Sequence, residues 1–168
     1  RPVEIDDGQR DAKFRTVTVR DGVFPGGRVY YCEHGTPELV WRPEWQNHAN
    51  GVTSMPEFVA VASDAAGEVA QFATLVDADV EMDGNGVRCV TLDGCQVTVL
   101  TPDQYSDRYG ELASTMGSRD AIFGAMVFAT EGLSMLHDLL DDLDGVVIDR
   151  HPGRTIVRVD AFDTVVEF

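Results

Sequence analysis

The run Phe58-Val59-Ala60-Val61-Ala62, followed by Ser63-Asp64 and a mixed stretch that reaches Val76, decides the fold. The five-residue run is apolar and β-prone, so it predicts a strand. Asp64 is a typical N-cap residue, and apolar side chains recur beyond it with helical spacing, which predicts a helix from Asp64 to about Val76. A strand that leads into an amphipathic helix indicates a mixed α and β domain.

Three further strands complete this unit. The segments 87–92 and 95–100 predict a hairpin closed by the turn Asp93-Gly94, and a segment near Val80 supplies the remaining strand. The predicted order of elements is therefore β-α-β-β-β.

The same order recurs after a spacing of roughly 65 residues, somewhat longer than the usual repeat period. Residues 123–129 predict a strand, and Thr130 or Glu131 opens a helix that ends near Asp144-Gly145, where the glycine can terminate it. Three more strands are predicted at 146–148, 155–159 and 164–168.

Two such units predict an α+β fold in which repeated βαβββ modules pair into a concave sheet with their helices on the outside. Pairing would bury strand edges and enclose a pocket. We expect the paired modules at 56–168 and a linker at 36–55. Residues 1–35 are expected to be loop, over about the first dozen residues, followed by the final strands of a partial module at 14–19 and 28–33.

The linker is polar and broken by proline, yet it contains both tryptophans, Trp41 and Trp45. Large aromatic side chains usually pack when they can. We therefore expect Trp41 to be largely buried against the sheets, although the two rings could instead form the wall of a ligand pocket. Because the chain does not begin with Met, we also expect it to start inside a longer protein.

The formal net charge of -16, with 29 acidic residues against 13 basic ones, excludes some functions. A surface of this sign repels phosphate backbones and anionic lipids, so nucleic-acid and membrane partners are not expected. No apolar run approaches the roughly 18 residues of a membrane helix. The start has no signal-peptide pattern. These features predict a cytoplasmic protein.

Cys32, Cys89 and Cys95 match no zinc-binding spacing and cannot all pair within the chain. Their apolar neighbours predict strand positions and buried, inert thiols. This composition agrees with a reducing compartment.

The segment His34-Gly35-Thr36-Pro37-Glu38-Leu39-Val40-Trp41-Arg42-Pro43-Glu44, followed by His48-Ala49-Asn50-Gly51, resembles glyoxalase-like proteins of the vicinal-oxygen-chelate superfamily. The predicted strand at 57–62 and the closing Thr164-Val165-Val166-Glu167-Phe168 fit the same family. The resemblance covers residues 14–168. It implies paired βαβββ modules, a further module before residue 14 and a small oxygen-rich metabolite as ligand.

The resemblance also implies a divalent metal, held by first-strand and last-strand side chains of the paired modules. Glu167 and Glu33 match the last-strand carboxylate, whereas the middle module offers Thr98, a poor ligand. Glu57 matches a first-strand position, but the last module has Gly124 there. The modules at 56–168 are therefore expected to lack a complete metal site. Metal binding beside Glu33 and His34, completed by the missing module, is the alternative.

Histidines and tryptophans supply the other candidates. His34 follows a strand and adjoins Glu33, so the pair could act as catalytic base or ligands, or His34 could simply hold the loop. Trp41 and His48 are candidate pocket or linker residues. His137 is expected to be solvated on its helix, and His151 to lie in a turn.

Three functions remain open from the sequence. The first is a glyoxalase- or dioxygenase-type enzyme that transforms a small metabolite. The second is a metal-free binding or sequestration protein, and the third is a structural or regulatory protein without a ligand. A homodimer is a further candidate assembly. Nucleophile-elbow, dinucleotide and Walker motifs are absent from the sequence.

Overall fold

A computed structural model describes residues 1–5, 8–91 and 94–168. The strands are β1 Pro2–Ile5, β2 Gly8–Asp11, β3 Phe14–Thr18, β4 Tyr30–His34, β5 Val52–Ala62, β6 Val80–Asp83, β7 Gly86–Val90, β8 Gln96–Leu100, β9 Ala121–Thr130, β10 Val146–His151, β11 Arg154–Val159 and β12 Thr164–Glu167. The α-helices are α1 Ala65–Val76, α2 Pro102–Tyr109 and α3 Leu133–Leu140. The 3-10 turns are Pro37–Leu39, Pro43–Trp45, Gly110–Leu112 and Asp160–Phe162.

Eight strands form one sheet in the order β10-β11-β12-β9-β5-β8-β7-β6. Within each module the first strand runs parallel to the last, β5 beside β8 and β9 beside β12. The two modules meet where β5 pairs antiparallel with β9. The predicted fold of paired βαβββ modules is therefore confirmed. The turn predicted at Asp93-Gly94 falls partly outside the described residues.

The outer face of the sheet carries α1 and α3, as the sequence predicts. Asp64 caps α1, its carboxylate accepting from the N–H of Gly67 at 3.0 Å. Phe72 of α1 packs among Ala60, Cys89 and Val99 of the sheet, whereas α3 buries Leu136 against β11. Because α3 begins at Leu133 with Gly132 at its N-cap, it starts later than the helix predicted from Thr130 or Glu131.

The inner face, which lies opposite α1 and α3, is covered in part by α2, a helix that the sequence analysis missed. Tyr105, Tyr109 and the following Leu112 pack there against apolar residues of both modules. These partners are Val59, Val61, Leu100, Ile122, Ala125, Ile156 and Val165. Covering both faces of the sheet explains why the second half of β5, residues 58–62, is a continuous apolar run rather than an alternating one.

Helix α2 escaped prediction because it is polar. Its sequence PDQYSDRY offers only two apolar rings, four residues apart. A helix start is nevertheless encoded, since Thr101 and Gln104 form a capping box and Pro102 occupies the first turn. The sequence contains the capping signal, but the segment lacks the apolar periodicity that predicts a helix.

The chain before β5 forms two separate two-stranded sheets, β1 with β2 and β3 with β4. Residues 1–12, expected to be loop, thus contain two paired strands. β5 begins at Val52, inside the segment 36–55 that was expected to be a linker. A loop between β3 and β4 attaches this region to the first module through Phe24, whose ring centroid lies 4.5 Å from that of Phe72.

The expectation that Trp41 is largely buried is wrong. Trp41 is 62% exposed and Trp45 is 50% exposed, whereas Leu39 of the same segment is buried, at 4% exposure. Trp41 stacks on His34 with ring centroids 5.5 Å apart, and the guanidinium of Arg42 lies over the ring of Trp45. Neither indole ring reaches the sheet core.

The cysteines and two histidines also depart from expectation. Cys89 is buried as predicted, whereas Cys32 is exposed and Cys95 intermediate. His137 is only partly exposed, and its Nε2 lies 2.7 Å from Oγ1 of the buried Thr155. His151 ends β10 rather than lying in a turn.

Candidate functional site

A cavity of about 540 Å³ remains on the inner face beside the second half of α2. Its lining comes from α2, from β5, β7, β8 and β11, and from the turn between β6 and β7. The lining residues are Glu57, Gly84, Asn85, Gly86, Arg88, Gln96, Thr98, Leu100, Gln104, Asp107, Arg108 and Arg154. Charged and amide side chains thus surround a space large enough for a small metabolite.

Arg108, near the end of α2, is held by two carboxylates from different modules. Its Nη1 donates to Oε1 of Glu57 at 3.0 Å, and its Nη2 donates to Oε2 of Glu57 at 2.8 Å. The same Nη2 donates to Oε2 of Glu167 at 3.0 Å. The guanidinium therefore makes a bidentate pair with β5 and a second contact with β12, an arrangement that matches its planar fork of donors.

Arg154 on β11 extends this network. Its Nε lies 3.0 Å from Oε1 of Glu167, and its Nη2 donates to the backbone oxygen of Arg108 at 2.9 Å. Both guanidinium carbons lie over the ring of Tyr109, at 5.2 Å for Arg108 and 5.7 Å for Arg154. Two carboxylates, two guanidinium groups and one aromatic ring thus form a compact cluster that spans both modules.

The local environment fixes the protonation of this cluster. Burial alone would raise the pKa of Glu57, but hydrogen bonds from Arg108 and Thr98, with the charges of Arg108 and Arg88, outweigh it and lower the pKa. Burial would lower the pKa of Arg108, but Glu57, Tyr109 and Glu167 raise it. Burial raises the pKa of Tyr109. At neutral pH the carboxylate of Glu57 is ionised, Arg108 is charged and Tyr109 is a neutral phenol.

These residues do not fit a divalent metal. Glu57 and Glu167, two of the predicted ligands, do converge, but the atom between their oxygens is Nη2 of Arg108. A divalent ion at bonding distance from both carboxylates, about 2.0–2.6 Å, would collide with the guanidinium and be repelled by its charge. In residues 1–5, 8–91 and 94–168 no group of three His, Cys, Asp or Glu residues has metal-binding geometry.

The other predicted site residues lie elsewhere. Glu33 and His34 are on β4, which pairs with β3 and not with the eight-stranded sheet. Glu33 is exposed and makes an ion pair with Arg15 at 3.3 Å, whereas His34 packs edge-on against Phe14. His48 is exposed in the loop before β5. The structure does not bring these residues to the cavity, and a catalytic or metal-binding role for them stays a prediction.

Sequence reasoning missed Arg108, Arg154 and Tyr109, which are three of the five members of the cluster. A usable signal existed in the composition, because the basic set contains only 13 residues in a chain of net charge -16. Arg108 stands beside Tyr109 at the end of a capped helix, in a chain whose charged residues are mostly acidic. Its partners, 51 and 59 residues away, could not be identified from the sequence.

No family model matches the chain, and no curated protein matches it. Solved structures with related backbones include methylmalonyl-CoA epimerase from Mycobacterium tuberculosis, with 12% identity, a TM-score of 0.46, and coverage of 71% of this chain and 93% of the epimerase. A xylose isomerase-like TIM barrel/4-hydroxyphenylpyruvate dioxygenase fusion protein shares 12% identity with a TM-score of 0.39. That match covers 70% of this chain and 25% of the fusion protein.

Both TM-scores lie below 0.5, so these matches do not assign the fold. The strand order and pairing of the eight-stranded sheet assign it instead. That order is the paired βαβββ arrangement implied by the resemblance to the vicinal-oxygen-chelate superfamily. Within the described segments no helix has the length and apolarity to cross a bilayer.

Proposed function

We propose that this chain binds a small, oxygen-rich metabolite in the inner-face cavity without chelating it through a metal ion. The observation that carries the proposal is the contact of Arg108 with both Glu57 and Glu167. In this fold the two carboxylates stand where the superfamily resemblance places metal ligands, and a guanidinium already satisfies them.

The cavity supports this proposal through its size and lining. Its volume, about 540 Å³, lies within the range of small-molecule sites. N–H donors come from Arg88, Arg154 and the side-chain amides of Gln96 and Gln104. Guanidinium and amide donors recognise carboxylate, phosphate, carbonyl and hydroxyl oxygens. A ligand rich in such oxygens therefore matches the cavity.

A second candidate is a glyoxalase- or dioxygenase-type enzyme, with a metal between the same carboxylates. It is favoured by the convergence of Glu57 from the first strand of one module with Glu167 from the last strand of the other. It requires Arg108 to leave both carboxylates when the metal binds. The first proposal requires no such rearrangement.

Measurements of ligand binding with and without divalent ions distinguish the two candidate functions. A thermal-shift screen of organic acids, sugar phosphates and polyols is followed by calorimetric titration of each compound that raises the melting temperature. The measurements are repeated with EDTA and with Mn²⁺, Co²⁺, Ni²⁺ or Zn²⁺. We expect binding that EDTA leaves unchanged. Binding or turnover that depends on one of these ions would support the enzyme instead.

A matched pair of variants ties binding to the cavity. Gln96→Trp fills the cavity from β8, whereas Gln9→Trp adds the same ring on the exposed β2. We expect the first variant to lose ligand affinity by at least about tenfold and the second to keep it. Equal affinity in both variants would place the ligand elsewhere and refute the proposal.

A further inference from the structure

We propose that the guanidinium of Arg108 occupies the position of a divalent cation between Glu57 and Glu167. Removing this guanidinium then creates a binding site for a hard divalent cation. This inference concerns the ion pairs alone. It does not depend on the identity of any ligand, and its test measures neither ligand binding nor turnover.

The geometry of one nitrogen atom carries the first step. Nη2 of Arg108 lies 2.8 Å from an oxygen of Glu57 and 3.0 Å from an oxygen of Glu167. A single atom-sized centre therefore already bridges carboxylates of the two modules. Metal–oxygen bonds to Ca²⁺ are only slightly shorter, about 2.3–2.6 Å, so small side-chain rotations would let one ion take this place.

A neighbouring side chain supplies a further oxygen ligand once the guanidinium is gone. Thr98 on β8 hydrogen-bonds to Glu57, and its hydroxyl accepts from the amide N–H of Gln96 at 2.9 Å. Two carboxylates and a hydroxyl form an all-oxygen donor set, completed by water, which suits Ca²⁺, Mg²⁺ or Mn²⁺ rather than softer ions. With so few ligands, the expected dissociation constant is about 10⁻⁴–10⁻³ M.

Charge balance explains why Arg108 excludes the ion in the native protein. The side chains of Arg108, Glu57 and Glu167 are 24%, 18% and 11% exposed, so none of these charges is fully hydrated. Arg108 and Arg154 together neutralise both carboxylates. Removing Arg108 takes from Glu57 its two guanidinium hydrogen bonds and leaves this partly buried carboxylate with only Thr98 and the charge of Arg88, which destabilises the fold. A bound divalent cation would again place positive charge between the two carboxylates and would raise the stability of the variant.

The decisive variant is Arg108→Gln, which keeps a polar side chain without its charge. The control is Arg158→Gln on β11, where the arginine makes an ion pair with Asp160 at 3.1 Å. Melting temperature is measured against CaCl₂ or MnCl₂ up to 10 mM, with NaCl at matched ionic strength. Bound Mn²⁺ is counted by electron paramagnetic resonance.

We expect Arg108→Gln to melt below the wild type, to regain stability with either divalent salt and to bind one Mn²⁺. Wild type and Arg158→Gln should not bind Mn²⁺ at this position, and the double variant Arg108→Gln/Glu57→Gln should lose the ion. If Arg108→Gln is unfolded in buffer, recovery of its circular dichroism signal by divalent salt but not by NaCl supports the proposal.

Two results would overturn it. One is an Arg108→Gln protein, folded or unfolded, that neither binds Mn²⁺ nor responds to divalent salt beyond the control. The other is a stoichiometric ion on the wild type that Glu57→Gln or Glu167→Gln removes, because the guanidinium and the metal would then coexist.

Discussion

At the scale of single residues, charge pairing decides what the inner-face cavity can hold. Glu57 could be a metal ligand by position, yet its two oxygens accept from the two terminal nitrogens of Arg108. Bidentate guanidinium–carboxylate pairs are among the strongest polar contacts in proteins. The partner of a carboxylate, rather than its place on a strand, therefore determines its chemistry.

Two buried tyrosines give a prediction for alkaline pH. Burial raises the pKa of both Tyr105 and Tyr109. Because an exposed phenol ionises at about pH 10, the unfolded chain releases these protons first, and the stability they contribute is present below pH 10 and is lost as the pH rises above it. We expect the free energy of unfolding to fall steeply above pH 10, as measured by urea denaturation.

The control compares Tyr109→Phe with Tyr30→Phe, a half-exposed position on β4. The first substitution should flatten the fall of stability above pH 10, and the second should leave its slope unchanged. Absorbance at 295 nm provides an independent check. Ionisation of all four tyrosines while the circular dichroism signal stays native would contradict the prediction.

At the scale of elements, α2 connects the two modules and positions the cluster. It lies between β8 and β9 in the chain, covers the inner face with Tyr105 and Tyr109, and carries Arg108 to Glu57. The hydroxyl of Tyr105 donates to the backbone oxygen of Gly124 at 2.8 Å and accepts from the N–H of Ser114 at 3.1 Å. A polar connecting helix thereby fixes the geometry of the site.

The start of α2 can be tested through its capping box. Thr101→Ala removes the hydroxyl that accepts from the N–H of Gln104, and we expect a loss of about 1 kcal/mol of stability. Thr74→Ala, an exposed position within α1, is the matched control and should change stability by less than about 0.5 kcal/mol. Denaturant titration of both variants measures the difference. Equal stabilities would show that the cap is not needed to hold α2.

At the scale of the whole molecule, the eight-stranded sheet is one continuous unit, and the chain before Val52 attaches to its outer face. Phe24 is 7% exposed and belongs to the same core cluster as Phe72 and Val69 of α1. Gly27 lies so close to Phe123 that an added Cβ would come within 2.5 Å of the ring. The loop between β3 and β4 therefore packs on α1 of the first module through Phe24 and on β9 of the second module through Gly27.

This attachment predicts a large difference between two phenylalanines. Phe24→Ala should destabilise the protein by about 3 kcal/mol, since truncating a buried aromatic ring leaves a cavity. Phe14→Ala removes a ring that is 43% exposed on β3, and it should cost less than about 1 kcal/mol. Guanidinium denaturation, followed by circular dichroism, measures both. Equally small losses of stability in both variants would show that Phe24 does not attach the N-terminal region to the sheet.

The sequence by itself determined the order of elements in both modules. Strands at 58–62 and 123–129 and the helix after Asp64 follow from the spacing of apolar side chains within one segment, which is local information. Cap and turn residues, such as Asp64 before α1, correctly predicted where elements begin or end. The sequence could not show that Trp41 is exposed, because burial depends on which surface a segment meets.

Only the tertiary structure decided the chemistry of the candidate site. Glu57 and Glu167 were identified from the sequence as a possible pair, but Arg108, which lies between them, was not, because its contacts join residues 51 and 59 positions apart. The periodicity of apolar residues predicts local secondary structure, but it does not predict ion pairs between residues that are distant along the chain. The sheet pairing of β5 with β9 and the placement of α2 bring these charges together, so that a guanidinium lies between the two carboxylates.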